Sequence, residues 1–409
     1  MKILLNAIDF ANAVKWATKQ MDSRDDTSFV GLVVRDGEGY LYHENHASYF
    51  NAPIQISSVS YSKDEDNEGK AEIALSGRHL QKVASIVGRN DDSCEIVIDA
   101  ENKVELVCGE NTFTLPVVER VLSEIPTVEE IGMVPEYELF TTAKSLGAIC
   151  DMSAPGSLPM VENVTLTFYP DDDSPHMVLK STDRFAMGEI SLKYTPSKDG
   201  IFGTFKNVLK SEQEDAYNLF MPQSFATAFT PGKDPEILSM VFQDENSRFG
   251  YQFSDGRIAL HSMTSISVPW ETKDQKDRAL KADRQFLYLD TKAITRAIQD
   301  IKTLSGQSEA ISISHDKKDN GHVTVSDYMG RNSINVPLLD SRFTKGYDGK
   351  VWIPILPDVL VKSLSPVSTE EVELSFVTNK EPLVLRNSDG GVAYHDLFAL
   401  SATVTMSNA

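Results

Sequence analysis

The chain has 409 residues, which at roughly 100–200 residues per domain corresponds to two to four domains. Hydrophobic residues make up 41% and charged residues 24%, so collagen-like, low-complexity and disordered chains are excluded. The formal net charge of −21 argues against nucleic acid and anionic membranes as partners of the surface as a whole, but it leaves room for a local basic surface.

The sequence also indicates a cellular compartment. No apolar run approaches the roughly 20 residues of a membrane helix, and Asp9 interrupts the N-terminus before a signal-peptide core forms. The three cysteines, Cys94, Cys108 and Cys150, are an odd number without CxxC spacing. We therefore expect neither disulfides nor a zinc site, and a cytoplasmic location.

Three stretches have the pattern of an amphipathic helix in which a large apolar residue precedes an alanine by three positions, so that both lie on one helix face. These pairs are Phe10 with Ala13, Phe140 with Ala143, and Ile294 with Ala297. A second helix is predicted after each of them, starting near Leu75, Met221 and Leu356. Pro222 and Pro357 fall in the first turn, where a helix tolerates proline.

Segments between these helices alternate apolar and polar residues and are rich in β-branched side chains, as is typical of half-buried antiparallel strands. They are 30–35, 94–98, 104–107, 164–168, 310–314 and 372–376. Each third of the chain thus has the order helix, strands, helix, strands, which predicts a triplicated α+β domain. Polar linkers are predicted at 123–135 and 271–278.

The motifs of enzymatic chemistry are missing from the sequence. The acidic loop 64–68 resembles the start of a calcium loop, but Leu75 stands where the bidentate carboxylate belongs. His43 and His46 are one residue too close for a zinc-binding HExxH helix, and His395 with Asp396 has no accompanying nucleophile. Neither a P-loop nor a GxSxG motif occurs. We expect no enzyme activity, no catalytic residue, no metal and no cofactor.

Residues 179–187 carry the most specific family signal. Thr182, Asp183, Arg184 and Phe185 resemble the TDRF core of a segment in the middle domain of the bacterial DNA polymerase sliding clamp, the beta clamp. Other resemblances follow in family order: 76–78 to PGR, 112–115 to RFSL, 157–161 to LPVL and 393–400 to the closing YLLMPVRL. They cover essentially the whole chain. Its divergence, including Ala186 for the usual Arg, is that of an outlying member such as a phage-encoded one.

The resemblance implies an architecture of three clamp domains at 1–131, 132–279 and 280–409, with helices inside and antiparallel sheets outside. Two such subunits, head to tail, would form a closed homodimeric ring around duplex DNA and tether the replicative DNA polymerase. An ATP-dependent clamp loader would open the ring, and no membrane is involved. A ring that holds DNA topologically needs only a weakly positive lining, which is compatible with the acidic composition.

Basic residues on the predicted first-domain helices are the candidate contacts to DNA phosphates. They are Lys15, Lys19, Arg24, Arg78, Lys82 and Arg89. Such contacts are independent of DNA sequence. A merely solvated helix face would explain the same residues.

The resemblance also implies a pocket between the middle and third domains that takes short linear motifs with apolar anchors. Carried over position by position, it comprises Val161, Thr182, Arg184, Phe185, Met187, Arg278, Ala279, Leu397, Phe398 and Leu400. Ala399 and Ser401 replace the family's Pro and Arg, so the motif preference differs. Core burial is the rival interpretation, and Met187→Asp is expected to abolish polymerase binding while the ring stays assembled.

The ring interface is expected to join the first and third domains through edge strands and an apolar cluster. Phe113 and Leu115 match the first-domain side, and Leu304 is the third-domain candidate. Core burial would explain these residues equally well. On the interface hypothesis, Phe113→Asp should yield monomers.

The sequence therefore predicts a DNA sliding clamp. Two alternatives stay open. One is an acidic three-domain protein that binds a polymerase without encircling DNA, as a decoy or inhibitor would. The other is an unrelated α+β hydrolase, which the lack of an acid–base or nucleophile constellation disfavours.

Overall fold

A computed structural model describes most of the chain. The described residues are 1–22, 27–61, 70–89, 93–99, 101–134, 139, 163–170, 173–182, 186–206, 208–210, 216–230, 232–263, 283–305, 310–316, 318, 321–347, 349–365, 367, 369–377, 383–387 and 397–401. The chain divides into two compact units. Unit 1 comprises Met1–Glu136, Pro196–Val208 and Ala228–Met263, and unit 2 comprises Tyr137–Thr195, Leu209–Thr227 and Thr264–Ala409.

The first third of the chain alternates strands with two helices. Its elements are β1 (Lys2–Asn6), α1 (Ala7–Ala17), β2 (Phe29–Arg35), β3 (Glu38–Glu44), β4 (Ser48–Ile54), β5 (Ile56–Ser60), β6 (Ala71–Ser76), α2 (Gly77–Val87), β7 (Ser93–Ile98), β8 (Val104–Cys108) and β9 (Asn111–Leu115).

The middle third repeats much of this order. Its described elements are β10 (Glu129–Met133), β11 (Asn163–Tyr169), β12 (His176–Thr182), β13 (Ala186–Lys193), β14 (Thr195–Pro196), a 3₁₀ turn (Ile201–Thr204), β15 (Leu209–Lys210), β16 (Tyr217–Pro222), α3 (Gln223–Ala226), β17 (Ile237–Gln243), β18 (Arg248–Phe253) and β19 (Ile258–Ser262).

The last third repeats the order again. It contains β20 (Gln285–Asp290), α4 (Thr291–Ser305), β21 (Ile311–Asp316), β22 (His322–Asp327), β23 (Ser333–Arg342), β24 (Lys350–Ile355), α5 (Pro357–Leu364), β25 (Glu371–Phe376), β26 (Leu383–Asn387) and β27 (Leu397–Ser401). None of the described helices is long and apolar enough to cross a membrane.

All pairs among the described strands are antiparallel, and these strands form three sheets. Unit 1 contains a five-stranded sheet, β5-β1-β7-β8-β9, and a nine-stranded sheet, β14-β10-β17-β18-β19-β4-β3-β2-β6. The thirteen-stranded sheet of unit 2 has the order β15-β16-β11-β12-β13-β27-β26-β25-β20-β23-β22-β21-β24. Strands of the middle third are thus divided between two sheets: β17–β19 join the first third, and β11–β13 join the last third.

Helix α1 shows how local sequence sets an element. The Asn6 side chain caps it by accepting hydrogen bonds from the backbone N–H groups of Ile8 and Asp9, both at 3.0 Å. Its buried stripe includes Phe10, Ala13, Val14 and Trp16, at the spacing of one helix face. Trp16 packs edge-on against Phe253 of β18, with ring centroids 4.7 Å apart. This contact joins the first helix to a strand of the middle third.

The predicted helices are found where the structure describes them, with two differences. α1, α2, α4 and α5 match the predicted positions, and Pro357 lies in the first turn of α5. The helix expected from Met221 is only the four-residue α3, because Met221 and Pro222 still belong to β16. The helix predicted around Phe140 lies outside the described residues.

The interval predicted as the first linker is not wholly irregular. Residues 129–133 form β10, which pairs with β17; Glu130 lies opposite Val241. Its polar composition reflects a strand whose side chains are mostly exposed, with Ile131 buried. The second predicted linker, 271–278, lies outside the described residues. The two compact units leave the prediction of three domains untested, since the middle third contributes to both.

Candidate functional site: free sheet edges, a basic helix pair and a strand junction

The last strand of a repeat pairs with the fourth strand of the preceding repeat wherever both are described. β19 runs against β4, with Leu260 opposite Tyr49. In the same way β27 runs against β13, with Leu400 opposite Met187. Both junctions extend a sheet across a repeat boundary by backbone hydrogen bonds.

One last strand and one fourth strand remain without such a partner among the described strands. β9, the last strand of the first repeat, has only β8 as a neighbour among the described strands. The first half of β23, residues 333–337, has only β22 on one side, because its pairing with β20 begins at Leu338. These two strands are the counterparts of the edges that pair at the two internal junctions.

The predicted interface residues differ in their burial. Phe113 is half-buried on β9, while Leu115 on the same strand is only 2% exposed and belongs to the core of unit 1. Leu304, in the last turn of α4, is 63% exposed. Core burial therefore accounts for Leu115 within a single chain, whereas Phe113 and Leu304 remain accessible.

The turn between β22 and β23 was missed by the sequence analysis. Its Tyr328 and Met329 are 42% and 67% exposed. The buried Asp327 carboxylate holds the turn by accepting hydrogen bonds from the backbone N–H groups of Arg331 and Asn332, both at 2.9 Å. Two apolar residues between an aspartate and a glycine were the available signal, because turns normally carry polar side chains.

The internal β19–β4 junction shows what such a contact contains. Arg248, at the start of β18, donates to Glu44 at 2.8 Å and to the carbonyl oxygen of Asn45 at 3.2 Å. The turn after β3 is fixed by Asn45, whose side chain accepts from the N–H groups of Ala47 and Ser48. Turn residues as well as strand residues therefore build the junction.

Helices α1 and α2 pack against each other in unit 1 and carry most of the predicted DNA contacts. Lys15 on α1, Arg78 and Lys82 on α2, and Arg89 just after α2 are all exposed. Helix α2 contains no acidic residue. Arg24 lies outside the described residues.

Lys19 is engaged within the protein. Its ammonium group lies 2.6 Å from Asp234 and about 5 Å from the ring centroids of Trp16 and Phe229. Burial lowers the pKa of Lys19, more than the hydrogen bond and the charge of Asp234 raise it. This residue has a structural role in addition to any contact with DNA.

Gly77 explains the Ser-Gly-Arg motif before α2. A Cβ atom at this position would lie 2.4 Å from the sulfur of Met21. The Gly77 N–H also donates to the carbonyl oxygen of Ser28 at 3.0 Å. A side chain here would displace the end of Met21 and crowd the carbonyl oxygen of Ser28, which favours glycine at the helix start.

The predicted peptide pocket is only partly described. Thr182 on β12 lies opposite Met187 on β13, and Met187 lies opposite Leu400 on β27, so three predicted residues share one row across three strands. Phe398 pairs with Glu189, and Leu397 with Ile190. Met187 is only 4% exposed. Val161, Arg184, Phe185, Arg278 and Ala279 lie outside the described residues.

The histidine and metal motifs considered in the sequence do not form a functional site in the described residues. His43 is 2% exposed, and its Nδ1 lies 2.7 Å from the carbonyl oxygen of Phe29, consistent with a core histidine. Within the described residues, no group of three or more His, Cys, Asp or Glu side chains is arranged to hold a metal ion.

Three repeats whose strands pair across the repeat boundaries define the class of the protein: a repetitive α+β chain. No family model matches the chain. It is 23% identical to the beta sliding clamp of Streptomyces coelicolor over 391 residues, which cover 94% of this chain and 93% of the relative.

Solved structures show the same fold over the full length. The DNA polymerase sliding clamp from Bacillus subtilis is 14% identical, covers 100% of both chains and has a TM-score of 0.76. The Helicobacter pylori beta clamp bound to a DNA ligase peptide is 13% identical, covers 99% of this chain and 100% of its own, and has a TM-score of 0.72. The resemblance found in the sequence is thereby confirmed: over its full length the chain is similar to the bacterial sliding clamps, and it has their fold.

Proposed function

We propose that this protein is a DNA sliding clamp: two copies close a ring around duplex DNA and tether the replicative polymerase. The observation that carries the proposal is the repeated junction. Two internal boundaries use one pairing rule, last strand to fourth strand, and the same rule applied between copies would pair β9 of one chain with residues 333–337 of the next. A head-to-tail contact of this kind forms a closed ring when the rotation from one chain to the next completes a full circle, which here takes two chains.

Local chemistry supports this pairing of edges. An exposed edge strand is a template for another strand, and natural proteins normally protect it. Proline lies at the end of the stretch that would pair: Pro337 is its last residue in β23, and Pro53 lies two residues beyond the paired stretch of β4. A proline has no N–H to donate, so it ends a ladder without disturbing the residues before it.

Accessible apolar residues lie beside the same edges. Met329 and Tyr328 are in the turn that leads into β23, the counterpart of the turn at 45–47, which contacts β18 and β19 within unit 1. Phe113 on β9 and Leu304 on α4 complete the set. Burial of four such side chains would supplement the backbone hydrogen bonds of the ladder.

The basic surface of α1 and α2 is suited to weak contact with DNA phosphates. A closed ring keeps its DNA by topology, so its lining needs few cations, and the acidic remainder of the chain limits other contacts with DNA. In this function the protein is a tether and not an enzyme. A separate ATP-dependent loader would open the ring, and the cytoplasmic location stays a prediction.

The row formed by Thr182, Met187 and Leu400 is the part of the structure from which the partner pocket is proposed. It lies at the junction of β12, β13 and β27, within unit 2. A relative has been solved with a DNA ligase peptide. We assign the corresponding role here to short peptides with apolar anchors, such as the polymerase would supply.

Two measurements test the function. The first is the solution mass, by sedimentation or light scattering: twice 45.3 kDa is expected for the ring. The second is retention on DNA after loading, where circular DNA should retain the protein and linear DNA should release it from its ends. Equal retention on both forms would contradict the ring and favour the decoy, which the clamp relatives otherwise disfavour.

A further inference from the structure

A cleft of about 460 Å³ in unit 1 brings together charged residues from α1 and from two loops of the middle third. Lys15 comes from α1 and Lys19 from the turn just after it, Lys233 and Asp234 from the loop before β17, and Asp255 and Arg257 from the β18–β19 turn. Four cations face two carboxylates, in a chain whose net charge is −21. Such a local excess of positive charge favours the binding of anions.

Both carboxylates of the cleft are engaged by protein groups. Asp234 accepts from Lys19 at 2.6 Å and from the backbone N–H of Thr230 at 2.7 Å, one bond to each oxygen. Asp255 accepts a hydrogen bond from the Arg257 backbone N–H at 3.2 Å, and its other oxygen forms an ion pair with the Arg257 Nε at 3.0 Å. The acidic residues therefore position cations and the loop, and neutralise only two of the four positive charges.

The two remaining cations are exposed. Neither Lys15 nor Lys233 has a carboxylate within ion-pair distance in the described part of the chain. The closest approach of Arg257 to Asp255 in their ion pair is through Nε, which leaves the two terminal nitrogens of the guanidinium for another acceptor. Lys15, Lys233 and Arg257 can thus all donate hydrogen bonds to one anion in the cleft.

Trp16 forms a rigid wall of this cleft. It is only 3% exposed, and both Lys19 and Arg257 lie about 5 Å from its ring centroid. Its indole N–H has no hydrogen-bond partner among the described residues. Stacking of the two cations on one buried ring fixes them before any ligand arrives, which reduces the entropy lost on binding.

We propose that this cleft binds a phosphate group of the DNA backbone, with Lys233 and Arg257 as contacts additional to Lys15. The inference rests on the proposed clamp function, which brings duplex DNA to helix α1. Phosphate suits the cleft because a guanidinium and two ammonium groups can share its oxygens.

The test is the salt dependence of binding to a short linear duplex, measured by fluorescence anisotropy. Each lost phosphate contact lowers the slope of log K against log salt by about 0.9. Lys233→Ala should therefore reduce the slope by about 0.9, and Lys15→Ala with Lys233→Ala by about 1.8. Lys103→Ala removes the same charge from unit 1 at a residue paired with Glu105 and should leave the slope unchanged. Equal slopes for the Lys233 and Lys103 variants would overturn the proposal.

Asp255→Asn supplies a gain-of-function test. The amide oxygen can still accept the Arg257 backbone N–H, while the carboxylate that occupies the guanidinium is removed. Duplex binding at fixed salt should tighten several-fold, and weaker binding would count against the cleft.

A titration with inorganic phosphate shows whether the cleft binds free phosphate or a phosphate of the DNA backbone. With Trp270→Phe and Trp352→Phe, Trp16 is the single fluorophore of its type, and phosphate at constant ionic strength is titrated against it. A response to phosphate without a change of duplex slope in the Lys233 variant would overturn the assignment to DNA. Retention of the wild type on circular DNA, measured in parallel, distinguishes failure of this site from failure of the clamp function.

Discussion

The guanidinium of Arg248 and the carboxylate of Glu44 lie 2.8 Å apart and link β18 to the end of β3. Arg248 is 6% exposed and also donates to the carbonyl oxygen of Asn45. Glu44 in turn accepts from the hydroxyl of Ser123 at 2.6 Å. This pair therefore connects three segments of unit 1 at the place where two repeats share a sheet.

Replacing Arg248 should weaken that junction. We expect Arg248→Met to lower the free energy of unfolding by about 2–3 kcal/mol, because a buried pair loses one partner and the Asn45 carbonyl loses its donor. The measurement is urea unfolding. Arg35→Met is the matched control: its pair with Glu72 is exposed on both sides, so a loss below about 1 kcal/mol is expected. Equal losses would mean that burial of the Arg248 pair contributes nothing.

Thr114→Pro tests the free edge of β9. Cys108 and Asn111 flank a two-residue turn and form its hydrogen-bonded pair, so alternation leaves the N–H groups of Thr112 and Thr114 directed away from β8. Proline is tolerated at such an outward position. The variant should fold normally, yet its dimer dissociation constant should rise at least about fivefold, the equivalent of one hydrogen bond.

Sedimentation over a concentration series measures this change. Thr114→Ala serves as the control, because it removes the side chain and keeps the N–H. A proline variant that dimerises as tightly as the alanine variant would show that β9 is not the contact strand.

Met187→Ala tests the partner pocket. The Met187→Asp substitution suggested by the sequence is unsuitable, because at 4% exposure a carboxylate there would disrupt the sheet and obscure any effect on binding. The alanine variant should lose about 2–5 kcal/mol of stability and bind a labelled peptide with apolar anchors at least tenfold more weakly.

The fully buried Met240 of unit 1 supplies the control for that experiment. Met240→Ala should cost similar stability and leave peptide affinity, read by fluorescence anisotropy, as in the parent. If both variants bind the peptide alike, Met187 is a core residue and nothing more.

Buried tyrosines should make the fold sensitive to alkali. Burial raises the pKa of Tyr49, Tyr194 and Tyr251 above its usual value of 10. Between that value and the raised one, the unfolded chain releases protons that the folded chain keeps, so stability falls as pH rises above 10. Each tyrosine contributes up to about 1.4 kcal/mol per pH unit.

Urea unfolding between pH 9 and 11.5 measures this slope, and Tyr251→Phe should make it shallower. Lys19 acts in the opposite direction, because its lowered pKa makes the folded chain release a proton before the unfolded chain does. The exposed Tyr61 offers the control, Tyr61→Phe, whose slope should match the parent. A Tyr251→Phe slope equal to that of the control would refute the assignment.

The amino-acid sequence by itself determined the repeated order of elements. Helix periodicity at Phe10 and Ile294, and alternation at 94–98 and 372–376, depend only on neighbours along the chain, and these elements lie where they were predicted. The segment around Thr182 and Arg184 indicated the family, which the likeness to clamps over the full chain confirmed. Met221 was assigned to a helix because proline at 222 suits a first turn, but pairing with β11 keeps it in a strand.

Tertiary structure alone decided which residues are accessible. Phe113 and Leu115 read alike in the sequence and both lie opposite residues of β8, yet in the folded chain Leu115 is buried and Phe113 only half-buried. Lys19 and Lys15 lie one helical turn apart, yet only Lys19 reaches Asp234, more than two hundred residues away along the chain. Ion pairs, free sheet edges and clefts of this kind depend on contacts between distant segments, and local sequence patterns carry no information about which segments meet.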